Sequence, residues 1–217
     1  MPRSAFSTQF VQDGWVSQQV LKILAASMSH NTWTMVLDAK TIFVKDLELK
    51  DIIDEQGRAR VGTMDIYPVF EPTRLMVNQT YDIDLQKQLG PGGVPFLFQN
   101  DVVRLMIADT TFKMKQRFPL WFQRKGRITE FMLYAGYLQY RFGGFETFYS
   151  PENVLFPVNL CHSEVDQFES KLQQMKQDST ITASIHRNAW KELTDDQKQQ
   201  YQHFLLDRGI FCAWELP

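Results

Sequence analysis

Residues 34–43 read TMVLDAKTIF, and how this stretch is built decides the rest of the reading. Thr34–Leu37 is a β-favouring, apolar run that stops at Asp38. After Ala39 comes Lys40, and then a second apolar run, TIFV (41–44). An acid at the carboxyl end of a buried strand sits where α/β sheets hold ligands. A carboxylate there can hold Mg²⁺ or Mn²⁺, which take oxygen ligands and bridge to diphosphate. A lysine there neutralises phosphate directly, as a compact charge. The plainer alternative is a turn-forming aspartate followed by a solvated lysine.

Working outward, GWVSQQVLKILAAS (14–27) carries Val16, Val20, Ile23 and Leu24 at helical spacing. Trp15, Gln18, Gln19 and Lys22 fall on another face. They suggest side chains that hold the Asp38 loop by hydrogen bonds to its backbone, against the simpler reading of a solvated face. Downstream, GRARVGTMDIYPVF (57–70) reads as strand-rich, residues 79–89 as a helix stopped by GPGG (90–93), and VPFLF (94–98) as a strand. Asn100 is placed to cap a helix reaching about Gln116. RITEFMLYAGYLQYRF (127–142) is a helix capped by Thr129 and stopped near Gly143–Gly144. Ser163 opens a charged helix to about Gln177, STITASIHR (179–187) is a strand, and Thr194 with Gln197 forms a capping box for a helix stopped at Gly209. IFCAW (210–214) reads as a closing strand. Strands alternating with helices give an α/β fold, a mixed sheet flanked by helices in a single domain over 14–217, after an irregular lead-in at 1–13.

The bulk numbers exclude several classes. The 217 residues carry a formal net charge of -2, so no basic field draws nucleic acid or an anionic membrane. No apolar run is long enough to span a bilayer, and MPRSAFSTQF (1–10) lacks the apolar core of a signal peptide. Two cysteines without metal spacing point to a reducing compartment, with the cytoplasm as the expected location. Aromatics reach 13%, with 17 Phe, which is high, and several must sit in the core or in a ligand cleft.

Three further groups carry candidate chemistry. Glu130 lies in the first turn of its helix, where its charge suits the helix dipole; it is also a candidate general base or clamp on sugar hydroxyls. Tyr134, Tyr137 and Tyr140 follow it, with core packing or stacking on sugars as the two readings. His186 and Arg187 end the strand STITASIHR and would share an edge with Asp38 if the strands run parallel, His186 as a metal ligand and Arg187 as a phosphate partner. The glycines at 90–93 lack the Lys-Ser/Thr of a phosphate loop.

GWVSQQVLKILAA followed by WTMVLDAKTIFVKDL, with ITEFMLYAGYL and IHRNAW further on, resembles bacterial and phage glycosyltransferase-like proteins of GT-A type. These pair a Gly-Trp-x-x-Gln-Gln-x-x-Lys helix with a strand ending in Asp-x-Asp or Asp-x-Lys. The resemblance implies transfer of a sugar from a nucleoside-diphosphate sugar to an acceptor hydroxyl. Asp38, Lys40, Arg187 and Tyr134 would stand near donor or diphosphate, Glu130 near the acceptor, and Trp15, Gln18, Gln19 and Lys22 behind them. Lys40 replaces the second acid of the usual metal motif, so both a Mn²⁺ or Mg²⁺ ion at Asp38 and His186, and metal independence through Lys40, stand as expectations. Only 13 residues precede Gly14, so the N-terminal nucleobase-binding unit of such proteins is expected to be missing. An exposed sheet would then invite a homo-oligomer or a partner chain. A non-catalytic homologue that binds carbohydrate or protein is the competing expectation.

Overall fold

The computed structural model describes residues 14–125 and 128–210. Helix α1 (Gly14–Met28) buries Val16, Gln19, Val20, Ile23 and Ala26, the three-and-four spacing that lays one stripe against a core. Strand β1 (Trp33–Val36) follows. The chain then turns at Asp38, whose carbonyl accepts from the Thr41 N–H at 2.9 Å, into the two-residue strand β2 (Ile42–Phe43). Next come α2 (Leu49–Ile52), β3 (Thr63–Asp65), α3 (Glu71–Tyr81), β4 (Lys87–Leu89) and β5 (Phe96–Gln99). Helices α4 (Asn100–Met114), α5 (Phe118–Lys125) and α6 (Glu130–Phe142) form the middle of the chain. Strand β6 (Pro157–Leu160), α7 (Phe168–Met175), β7 (Thr182–Ile185), α8 (Arg187–Glu192) and α9 (Asp195–Asp207) complete the described part.

The protein is a mixed α/β single domain, with about 52% of the described residues helical. The expected single mixed sheet is instead three small ones. β1 pairs antiparallel with β5, Thr34 opposite Phe98. β3 pairs antiparallel with β4. β7 lies between β2, antiparallel to it, and β6, parallel to it. Strands of two to four residues cannot build a wide sheet, and helices do most of the covering.

Two apolar clusters result. The larger packs α1, α3, α4, α5 and α6 around β1 and β5, with Ile23, Phe98, Met106, Phe122 and Leu133 at its centre. The smaller packs α7, α8 and α9 on β6 and β7, around Leu172, Ala183, Ala189 and Phe204. β2 touches both: Phe43 packs against the larger cluster, and Ile42 and the following Val44 belong with the smaller.

Several local readings need correction. Residues 79–89 are not a helix: α3 ends at Tyr81, Asp82 takes a left-handed conformation at φ 58°, and 87–89 is a strand. The stretch IYPVF is not extended. Pro68 opens a 3-10 turn that feeds α3. Ser163 falls inside another 3-10 turn (His162–Gln167), and α7 begins only at Phe168. Helices α5 and α8 were not anticipated. The cap of α4 is the Gln99 side chain, which accepts from the Val102 N–H at 2.8 Å, not Asn100. The lead-in at 1–13 and all of IFCAW after Ile210 lie outside the described residues. At the other helix ends, Thr129 accepts from the Met132 N–H at 3.3 Å, Gly143 closes α6 at φ 76°, and Thr194 and Gln197 form their reciprocal cap.

Gly136 sets how closely α6 approaches α3. A Cβ at that position would collide with Cγ1 of Val77, which is itself fully buried. Alanine is the better helix former by about 1 kcal/mol, yet overpacking a core costs roughly 1–3 kcal/mol. Gly136→Ala is therefore expected to lower stability in denaturant melts; equal or greater stability would show that α3 yields at no cost.

Candidate functional site

The candidate site forms where α1, the end of β1 and the start of α6 meet. Lys22 projects from the border of the buried stripe of α1. Its Nζ lies 3.0 Å from Oδ1 of Asp38 and 3.1 Å from Oε1 of Glu130, so one ammonium joins two carboxylates distant in sequence. Glu130 is wholly buried, Lys22 nearly so at 13% side-chain exposure, and Asp38 reaches solvent at 29%. Lys22 also lies 5.3 Å from the centre of the Phe131 ring, a cation–π contact. On the solvent side, Nζ of Lys40 stands 4.0 Å from Oδ2 of Asp38, 39% exposed.

Gln19 completes the inner end. An ionised carboxylate only accepts hydrogen bonds, so the consistent orientation of the Gln19 amide turns its nitrogen to Glu130. It then donates to Oε1 at 2.8 Å and also to Oε2. Burial raises the Glu130 carboxyl above its ordinary range against the pull of Lys22, and the Asp38 charge adds to the rise. Burial works to lower the Lys22 pKa, but Glu130 and Asp38 outweigh it and hold it above the ordinary lysine value.

The structure thus brings together Gln19, Lys22, Asp38, Lys40 and Glu130, and leaves other candidates elsewhere. Gln18 is exposed and Trp15 half-exposed at the rim. Gln19 binds the Glu130 carboxylate, not the backbone after Asp38. At about 100° per residue, the buried arc of α1 centres near Ile23; Gln19 lies inside it, Lys22 on its border and Gln18 beyond. Tyr134 does not face a ligand. It is fully buried, where its hydroxyl oxygen accepts from the Gln99 N–H at 3.2 Å and lies in hydrogen-bond contact with the Tyr149 hydroxyl at 3.0 Å, and burial pushes its pKa up. Tyr137 is likewise core, donating to Oδ2 of Asp109 at 2.6 Å. Only Tyr140 is substantially exposed, and its ring stacks on Tyr81.

His186 leaves β7 as the cap of α8, its Nδ1 accepting from the Asn188 N–H at 3.2 Å, and Arg187 is the exposed first residue of that helix. β1 and β7 lie in different sheets, so the shared parallel edge does not exist. The antiparallel register of Ile42 opposite Ala183 nevertheless brings the Asp38–Lys40 turn to the end of β7 from which His186 departs. Lys40 is close enough to Cys161, just after β6, to pull its thiol pKa down, although burial and Glu164 leave it raised.

Among the described residues, no three His, Cys, Asp or Glu side chains converge as a metal-holding group. The charges at Asp38 also fit a divalent cation poorly, because each carboxylate oxygen already faces an ammonium. Lys22 occupies Oδ1 of Asp38 and His186 is turned to the cap of α8, so a metal shared by the two remains an expectation. The outer face of the turn, with Lys40 foremost, suits an anion. Sequence reasoning placed Lys22 behind the site, whereas it is the central bridge. No local signal pairs it with Glu130, because a lysine on the border of a buried helical stripe can equally lay its stem on the apolar surface and keep its ammonium in water.

Residues 3–192 match the model of a family of unknown function, DUF6492, and the chain belongs to that family. No curated protein matches it significantly. Among the described residues, no helix is long and apolar enough to cross a membrane.

Removing one partner of a buried ion pair strands the other charge, at a cost of about 3–5 kcal/mol. Lys22→Met should lose about that much in denaturant melts, and adding Glu130→Gln should recover part of it; a double variant as unstable as the sum of its parts would show that the two do not interact. The raised pKa of Glu130 fixes a sign for pH. Its folded form holds a proton above the unfolded value of about 4.3, so its contribution is most favourable in acid and falls as pH rises through the folded pKa. The stability of the wild type relative to Glu130→Gln should thus decline from about pH 4 upward; a flat difference would mean that the folded pKa is not raised.

Proposed function

We propose that this member of the DUF6492 family is a GT-A-like glycosyltransferase homologue that moves a sugar from a nucleoside-diphosphate sugar to an acceptor hydroxyl, without a metal at Asp38. The observation that carries the reading is the bridged set Glu130–Lys22–Asp38, ending in the exposed Lys40, on the turn after β1. A buried ion pair is seldom the most stable filling for its volume, since well-packed apolar side chains often do as well or better. Its presence behind a solvent-reaching carboxylate and ammonium supports a chemical use for the turn.

In this proposal Lys40, exposed 4.0 Å from Asp38, meets the charge that develops on the departing diphosphate. Asp38, the carboxylate that solvent reaches, accepts a hydrogen bond from a sugar or acceptor hydroxyl. Its Oδ1 is held by Lys22, which leaves Oδ2 for that contact. Glu130 is reassigned. With no exposed surface it anchors Lys22, and Lys22 in turn fixes Asp38. The expectation of Glu130 as base or acceptor clamp gives way to this positioning role.

One observation favours a second reading. Every charge in the cluster has a protein partner, as in a structural fastener, and a non-catalytic carbohydrate- or protein-binding homologue would need no more. The two separate in an assay of nucleoside-diphosphate sugars for hydrolysis or transfer, with and without Mn²⁺. Metal-independent turnover that Lys40→Ala lowers by about 10²–10³-fold, with the fold intact, is expected. Absence of turnover and of binding across the panel would leave the binding homologue.

A further inference from the structure

We propose a second ligand site, remote from the Asp38 turn, that takes a small phosphate monoester carrying an aromatic ring. A cavity of about 410 Å³ lies among the segment after β2, helix α2 and residues 154–156. That volume falls within the roughly 300–1,000 Å³ of small-molecule sites. Lys45 is at the end of β2 opposite the Asp38–Lys40 turn, so the cavity is separate from the cluster around Lys22, and the proposal does not rest on sugar transfer.

Three cations line this cavity: Lys45, Lys50 and Arg60. Lys45 and Lys50 are not firmly neutralised. Lys45 donates only to a carbonyl, that of Asp178, at 3.2 Å. Lys50 pairs with Glu48 at 2.7 Å, but both are largely exposed, and such pairs exchange readily. Arg60 contacts Glu152 through Nη1, while its Nε is buried without a partner. The acid in the lining, Asp51, accepts from the Glu48 N–H at 2.8 Å in the cap of α2 through one oxygen and keeps its charge, which the three cations outnumber.

The opposite wall is apolar, formed by Leu47, Val154, Phe156 and Ile181, with the Phe156 ring half-exposed. Three separate donors match the three oxygens of a phosphate better than the two of a carboxylate. An aromatic body attached to that phosphate would cover Phe156.

Calorimetric titration of the full chain with phenyl phosphate, inorganic phosphate and benzoate tests the site. Phenyl phosphate should bind most tightly. Lys45→Ala and Lys50→Ala change exposed side chains, so the fold should hold. Each should weaken phenyl phosphate by about ten-fold, as should Arg60→Lys, which keeps the charge but loses the planar guanidinium fork. Phe156→Ala should weaken phenyl phosphate and leave inorganic phosphate within about two-fold. Lys40→Ala, which alters the other anion-facing turn, should leave phenyl phosphate within about two-fold. The proposal is overturned if wild type does not bind phenyl phosphate at millimolar concentration, if benzoate binds as well, or if affinity follows Lys40 and ignores Lys45, Lys50 and Arg60.

Discussion

The ammonium of Lys22, held between Asp38 and Glu130, is the constraint on which the rest of the site depends. Without it, a wholly buried carboxylate would face an apolar core with only an amide for company, and the turn after β1 would lose its inner attachment. With it, three parts of the chain are tied at one point: the middle of α1, the end of β1 and the first turn of α6. The geometry is specific because each member has one approach. Gln19 comes from one turn before Lys22 on the same helix, Glu130 is fixed by the Thr129 cap, and Asp38 is fixed by the backbone turn to Thr41.

What was legible in the sequence follows from how local each signal is. The α6 boundaries were readable because Thr129 and Gly143 are strong stop and start residues whose chemistry acts within one turn. The same holds for Thr194 and Gln197. The sheets were less legible. A run such as TIFV announces extended backbone but not how many strands it will join, and here β2 contributes two residues to a three-stranded sheet. Residues 79–89 misled because the periodic signal for α3 lies earlier, behind Pro68 and Pro72, while Asp82 ends the helix in a left-handed conformation that aspartate tolerates.

The candidate site shows the same division. Asp38 and Lys40 stood out because a charge interrupts an apolar run. The pairing of Glu130 with Lys22 depends on packing between helices that no local pattern records. Tyr134 was ambiguous for a chemical reason. The ring that would stack on a sugar is the ring that packs a core, and the hydroxyl decides between them. In this fold the hydroxyls of Tyr134 and Tyr149 satisfy each other and the backbone of β5, Tyr149 donating to the Leu97 carbonyl at 2.7 Å.

Strand β2 is only two residues long, yet its successive side chains point into different apolar clusters, Phe43 into the larger and Ile42 into the smaller. A pleated strand alternates faces, so the two cores share a backbone rung here, hydrogen-bonded to β7. Neither can loosen far while the other keeps its packing. Unfolding of either cluster should therefore be felt in the other through that rung and the turn immediately before it.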